Sequence, residues 1–139
     1  MRLLAQNNED LQIISSMVQD AVSRVGDISR DGKSKQLIIA MNRFCWERGK
    51  RSAPARTRSA LQVSGVLNVK SSGITIGKPN GILSLLAIKF TPDKELKPGG
   101  HVEITFSGGG ALMLYVECLD AALVDLSEPW GAKSRPKHG

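Results

Sequence analysis

The residues best suited to chemistry lie in one run, Asn42-Arg43-Phe44-Cys45-Trp46-Glu47, which leads directly into a basic stretch, residues 48–58 (RGKRSAPARTR). A guanidinium beside a rigid indole is a combination enriched at binding hot spots, so Arg43 and Trp46 are candidate binding residues. Arg48, Lys50, Arg51, Arg56 and Arg58 follow with no acid among them. Such a cluster can neutralise a small anion or a series of phosphates. An enzyme acting on a small anionic substrate at Arg43 and Trp46 would require a deep pocket beside the indole. If Trp46 and Phe44 instead pack beneath a helix, the same residues are simply core.

Catalytic constellations are otherwise scarce. Neither histidine, His101 or His138, has a second ligand at zinc-like spacing, and Cys45 and Cys118 stand far apart with no C-x-x-C pattern. The sequence therefore offers no metal site and no cofactor motif. Both cysteines lie in apolar, strand-like runs and read as reduced core thiols. Cys118 falls on the inward parity of its strand, while Cys45 shares a face with Arg43, which makes it the more activatable of the two. Glu103 and Glu117 flank Gly108-Gly109-Gly110 symmetrically. They are expected to face one another across a hairpin as a solvated pair rather than as a glycosidase-type acid pair. The three glycines lead into a strand and not into a helix N-terminus, so they read as a turn and not as a phosphate cradle.

The charge balance narrows the partners. The net charge is +6, but residues 48–58 and the tail 131–139 (GAKSRPKHG) together hold eight of the 19 Lys and Arg and no acid. The remaining chain is slightly acidic, so the basicity belongs to one loop and one tail and not to the packed domain. A dedicated nucleic-acid binder normally adds stacking aromatics or a groove-sized helix. Residues 48–58 contain no aromatic, and aromatics make up only 4% of the chain. The bland reading of the loop is solvated charge that aids solubility.

The elements that must position these residues follow from length and periodicity. A chain of 139 residues is one domain long. Residues 1–130 read as that domain, with a basic loop at 47–59, and residues 131–139 read as a flexible basic tail. Residues 8–24 have the spacing of an amphipathic helix, with Asn7 or Asn8 as cap and Leu11, Ile14, Val18, Ala21, Val22 and Val25 on one face. Ser15 and Ser23 fall on the outward side, and Gly26 suits the helix end. The period then changes to two. Strands are expected over residues 27–30, 35–46, 60–70, 82–91, 102–107 and 111–118, with a tight Asp31-Gly32 turn and an edge strand at 74–76. In the fourth of these, Leu86, Ile88 and Phe90 share a side; in the third, Val66 breaks the alternation. Residues 121–126 read as a final short strand. The sum is an α+β fold, mainly antiparallel β: one N-terminal amphipathic helix followed by a six-to-eight-stranded meander forming a roll or half-open barrel, with a pleckstrin-homology-like barrel as one concrete form. No secretory signal and no apolar run of membrane-spanning length is present, which points to the cytoplasm.

Several short motifs recur together in order: Val25-Gly26-Asp27, Asn42-Arg43-Phe44-x-Trp46-Glu47, Val69-Lys70-Ser71-x-Gly73-Ile74, Leu85-Leu86-Ala87-Ile88-x-Phe90, Phe106-x-Gly108-Gly109-Gly110-Ala111, Val116-Glu117-Cys118, Trp130 and Ser134-Arg135-Pro136-x-His138. Each is weak alone. The ordered set, covering nearly the whole chain, resembles a family of small alphaproteobacterial proteins catalogued as domain of unknown function 2948. The resemblance implies a bacterial cytoplasmic protein that stands alone as one domain, and it carries over no catalytic, ligand or cofactor residue. Three functions follow in order of preference. The first is a non-enzymatic binding or adaptor domain with a protein partner or a second copy of itself. The second is a nucleic-acid or ribosome-associated protein using residues 48–58 and the tail. The third is an enzyme on a small anionic substrate.

Overall fold

The change of period expected at Gly26 occurs at Gln19. In the computed structural model, which describes residues 1–132 and Pro136, helix α1 spans Asn8–Val18. Asn7 caps it, its side-chain oxygen accepting from the Asp10 N–H at 2.9 Å, and Glu9 and Asp10 occupy the first turn where the helix dipole favours them. Leu11, Ile14 and Val18 are fully buried. The helix stops because Asp20 adopts a left-handed φ of 61°, a conformation an α-helix cannot continue through. The Asp20 N–H then donates to the Leu85 carbonyl at 2.8 Å. The apolar spacing at Ala21, Val22 and Val25, which looks like a further helical turn, belongs instead to a strand and the short 3-10 turn that follows it.

The strands are β1 (Arg2–Ala5), β2 (Val22–Arg24), β3 (Ile28–Asp31), β4 (Gln36–Phe44), β5 (Ala55–Val63), β6 (Val66–Ser72), β7 (Ile82–Pro92), β8 (Gly100–Phe106), β9 (Ala111–Val116), β10 (Ala121–Asp125) and β11 (Trp130–Gly131). Their spatial order is β1-β10-β5-β4-β2-β7-β8-β9-β6, with β3 on β4 and β11 on β5. Every pairing is antiparallel. Among the described residues the fold is mainly antiparallel with one helix, as expected, but the strands outnumber the six to eight read from the sequence, and β1, β2 and β11 have no counterpart in that expectation. Of residues 121–126, read as a final short strand, Ala121–Asp125 form β10. The tail that was read as flexible falls mostly outside the described residues.

Three irregularities shape the sheet. The expected strand over 60–70 is two strands, broken where Val66 interrupts the alternation. Gly65 turns the corner with φ of +70°, a value that favours glycine. Since β5 and β6 are joined by two residues yet lie far apart along the strand path, the sheet must curl over. Its β6 end returns to the β3–β4 hairpin, where the Val66 N–H donates to the Lys35 carbonyl at 2.8 Å and Arg30 donates to the Leu67 carbonyl at 3.1 Å. These isolated bonds are not a ladder, and the sheet does not close into a barrel. The second irregularity is a register shift in β7 between Leu85 and Ala87. It puts Leu85 and Ile88 in the core and leaves Leu86 47% exposed, so of the expected Leu86-Ile88-Phe90 face only Ile88 and Phe90 share the inward side. The third is the β3–β4 connection, in which Lys35 and not Gly32 takes the left-handed conformation. Residues 74–76 form a loop and not a strand.

The core lies inside the curl and under α1. Leu37, Ile39, Leu61, Val63, Ile104, Leu112, Leu114 and Leu123 are its buried heart, each such side chain contributing about 1.5–3 kcal/mol by leaving water. The last hairpin buries Val102, Ile104, Phe106, Leu112, Leu114 and Val116 as its alternation predicts. Cys118, however, is exposed, because β9 ends at Val116 and the inward parity ends with it. Glu103 lies opposite Met113, not Glu117; Glu117 pairs with Lys35 at 2.6 Å. Ser15 and Ser23, expected outside, are both buried. Ser23 donates to the Ala40 carbonyl at 2.7 Å. The Ser15 hydroxyl accepts from the Ile88 N–H at 3.0 Å, satisfying a backbone donor next to the β7 bulge.

Replacing Ser15 with Ala orphans that buried donor. The substitution is expected to lower unfolding free energy by about 1–3 kcal/mol and to speed amide exchange at Ile88, measured by urea denaturation and by hydrogen exchange.

Candidate functional site

The run 42–47 is divided between the two faces of the sheet. On β4, Leu37, Ile39, Met41 and Arg43 share the core-facing side, and their partners on β5 are Val63, Leu61, Ser59 and Thr57. On β10, Asp125 lies opposite Ser59. The interior therefore changes from aliphatic to polar toward one end, and Arg43 completes the stripe with a side chain of 0% exposure. Its guanidinium is saturated. Nε donates to Ser59 Oγ and to Asp125 Oδ1, both at 3.1 Å. Nη2 donates to Asp125 Oδ2 at 3.0 Å and to Glu47 Oε2 at 2.7 Å, and Nη1 donates to Glu47 Oε1 at 2.9 Å and the Phe44 carbonyl at 3.3 Å. Ser59 donates in turn to Asp125 at 2.7 Å, and the Met1 ammonium lies 3.3 Å from Asp125. Two bidentate clamps on one guanidinium are the strongest geometry an arginine can adopt.

The protonation states follow from this geometry. Burial pulls the Arg43 guanidinium down, but its hydrogen bonds and charge contacts with Glu47 and Asp125 outweigh that and hold it above its ordinary value. The Arg43 hydrogen bonds hold Glu47 below the usual carboxylate range against partial burial. Burial pushes Asp125 up, and Arg43 and Ser59 together more than reverse it, so it too lies low. Burial pushes the Cys45 thiol up, so the thiolate is disfavoured. Beside the cluster, a surface cleft of about 530 Å³ is lined by Met1, Asp125, Leu126, Ser127, Glu128 and Pro129. Asp125 is already committed to Arg43, and the lining offers no base paired with a nucleophile. Among the described residues, no group of three or more His, Cys, Asp and Glu is placed to hold a metal ion.

The other predicted residues lie elsewhere. Trp46 sits in a 3-10 turn, Trp46–Arg48. It is half-buried, its indole N–H donates to the Gln19 carbonyl at 3.1 Å, and its ring meets Phe44 edge-on at 4.6 Å. Arg48, Lys50 and Arg51 are exposed in the loop before β5. Arg56 and Arg58 are not on that loop, because β5 begins at Ala55. Both point to the outer face, opposite Phe44 and Asn42 respectively. Arg56 covers the Phe44 ring at 6.0 Å and lies opposite Trp130 on its other side. Arg58 donates to Asn42 at 3.1 Å and pairs with Asp27 at 3.2 Å. The sheet thus separates Arg43 from Arg56 and Arg58 and brings the latter two together with an aromatic cluster.

A family model described as "protein of unknown function (DUF2948)" matches residues 1–138. The chain belongs to that family. No curated protein and no solved structure matches it. In this chain the run around Arg43 is an internal ion cluster on one face of β4 and an aromatic cap on the other.

The sequence reading missed the floor of that outer face. Ala40 lies opposite Ala60, and Ala60 opposite Val124. Ile38 lies opposite Gln62, Gln62 opposite Ala122, and Ala122 opposite Leu4. All but Leu4 are half-buried, and Leu4 is 59% exposed. The signal was present in QLIIAM and AALV, where both parities of a strand are apolar.

Replacing Arg43 with Met leaves two carboxylates without their cation. Both keep some contact with water, so the expected loss is about 3 kcal/mol of unfolding free energy, read from urea midpoints. Because Glu47 and Asp125 are held low in the folded state, their stabilisation is complete above their ordinary values and fades as pH falls through the lower folded ones. The natural chain is therefore expected to lose stability progressively as pH falls below about 5, and the Met variant to lose less over the same acid range.

Proposed function

We propose that this protein is a non-enzymatic binding domain that engages a partner protein through the outer face of strands β1, β10, β5, β4 and β2. The observation that carries the reading is the contrast between the two faces at Arg43. Inside, every strong polar group of the cluster is matched to another. Outside, an apolar floor of Ala40, Ala60, Ala122 and Val124 meets solvent in the middle of an antiparallel sheet, where polar side chains are the rule. Patches of this kind mark interaction sites. The free thiols of Cys45 and Cys118 fit a reducing compartment, so the partner is sought in the cytoplasm.

A second reading keeps the basic residues in view. Arg48, Lys50 and Arg51 are exposed, and Trp130 is 42% exposed opposite Arg56, which is one aromatic platform beside a positive segment. It is the weaker reading, because the floor between these groups holds no ring on which further bases could stack.

Site-specific photo-crosslinking in living cells separates the two. A photoreactive side chain at position 62, in the centre of the outer face, is expected to trap a protein. The same group at position 89, exposed on β7 in the other half of the sheet, is not. Equal yields at both positions, or nuclease-sensitive adducts at 62, would sink the protein-binding reading.

A further inference from the structure

The outer face has a shape and a charge as well as an apolar floor. Ala40 and Ala60 face each other at its centre, and Val124 and Ala122 continue it on β10. Larger side chains border it, Leu4 on β1 and Val22 on β2 (paired with Asn42) at its two edges, and Ile38 on β4 beside Gln62 on β5 in the neighbouring row. Across five strands spaced about 4.8 Å apart, the result is a strip of small side chains, roughly 19 Å along the sheet, with larger ones at its borders. An α-helix is about 10–12 Å across with its side chains, and alanines beneath it permit close approach.

The rim is positive. Arg2 lies opposite Val124, Arg24 opposite Ile82, and Arg56 and Arg58 occupy the outward positions of β5. Acids on the same side include Asp27, which Arg58 neutralises at 3.2 Å, and Asp31, opposite Gln36 at the β3 corner. A second copy of this chain would bring like charges together across the two-fold axis of an isologous contact. A nucleic-acid strand would find phosphate partners at the rim but no stacking ring on the floor. An anionic amphipathic helix satisfies both the floor and the rim.

Resting on the binding-domain reading above, we propose that this apolar strip is the docking site for one amphipathic α-helix of a partner protein. The helix lays its apolar stripe on Ala40, Ala60, Ala122 and Val124 and directs acidic flanks at Arg2, Arg24 and Arg56. The helix packs on the sheet face through its apolar stripe, and charge sets the specificity.

Two designed helical peptides of about 20 residues, identical in their Leu/Ala stripe and carrying either Glu or Lys on both flanks, are titrated into the isotope-labelled full chain and followed by amide NMR. The Glu-flanked peptide is expected to move the amides of residues 38–42, 58–62 and 122–124, with the Lys-flanked peptide weaker by about tenfold or more. Ala60→Glu and Ala122→Glu should each weaken the Glu-flanked peptide by about tenfold or more while their spectra stay folded. Arg2→Glu should narrow the gap between the peptides. The proposal is overturned if neither peptide binds, if both bind equally, or if the shifts fall on the β6 edge. It is also overturned if oligouridylate or phosphatidylglycerol vesicles move these amides while the peptides do not, or if the chain alone shows concentration-dependent shifts there. If cross-linking at position 62 succeeds and both peptides fail, the helix falls and the binding reading stands; if both experiments fail, both readings fall.

Discussion

Arg43 carries a permanent charge at the end of a core stripe, and the surrounding segments are placed so that this charge is never alone. Glu47 comes from the 3-10 turn just past β4, Ser59 from β5, and Asp125 from β10, 82 positions further along the chain. Leaving a guanidinium buried without partners would cost several kcal/mol, comparable to a large part of a domain's net stability. The pairing of β10 with β5 and the course of the chain after β4 are therefore tied to one another through a single side chain. Thr57 and Ser59, both buried, complete the polar end of the interior, with Thr57 donating to the Ser127 carbonyl at 2.8 Å.

That commitment decides the fate of the neighbouring residues. With Arg43 inward, Asn42 and Phe44 must point outward, and neither is left to solvent. Phe44 is fully buried between Trp46 and Arg56, and Trp46 is tied to the end of α1 through Gln19. Asn42 takes the side chain of Arg58, and its carbonyl takes Arg56 at 3.2 Å. The arrangement that suggests a binding motif in the sequence is thus largely one of internal fastening, and what it leaves open is the alanine floor beside it.

The sequence shows the helix cap, the inward face of α1, the last hairpin and β10 because each is governed by local rules: an Asn side chain within reach of a free N–H, or strict alternation between turns. It hides what depends on contacts distant in the chain. The helix end lies at Asp20 because of a backbone bond to Leu85, and the apolar residues after it fit either period. The β7 bulge reverses the face of Leu86 without any glycine or proline to mark it, and its compensating partner is a helical serine 73 positions away. The start of β5 is masked by the charge of Arg56 and Arg58, which read as loop residues until the outer face is seen to hold them. Arg43 itself was legible in part. It continues the parity of Leu37, Ile39 and Met41, and a charge on that parity announces a buried partner, although not which one.

The two halves of the sheet treat their outward positions differently. On β7 and β8 the outward row carries Lys89 opposite Glu103, with Thr105 and His101 beside them, which is how a half-solvated antiparallel sheet keeps itself soluble. On β4, β5 and β10 the corresponding positions carry Ile38, Ala40, Ala60, Ala122 and Val124, with Gln62 the one polar side chain among them. Both halves were built from one chain and are bathed in the same solvent, so general solubility does not account for the difference. Strand propensity does not account for it either, since alanine is disfavoured in strands and a threonine or valine would serve the ladder better. What small apolar residues supply at an outward position is closeness of approach. The feature that separates the two halves is therefore the one expected of a surface against which another backbone comes to rest.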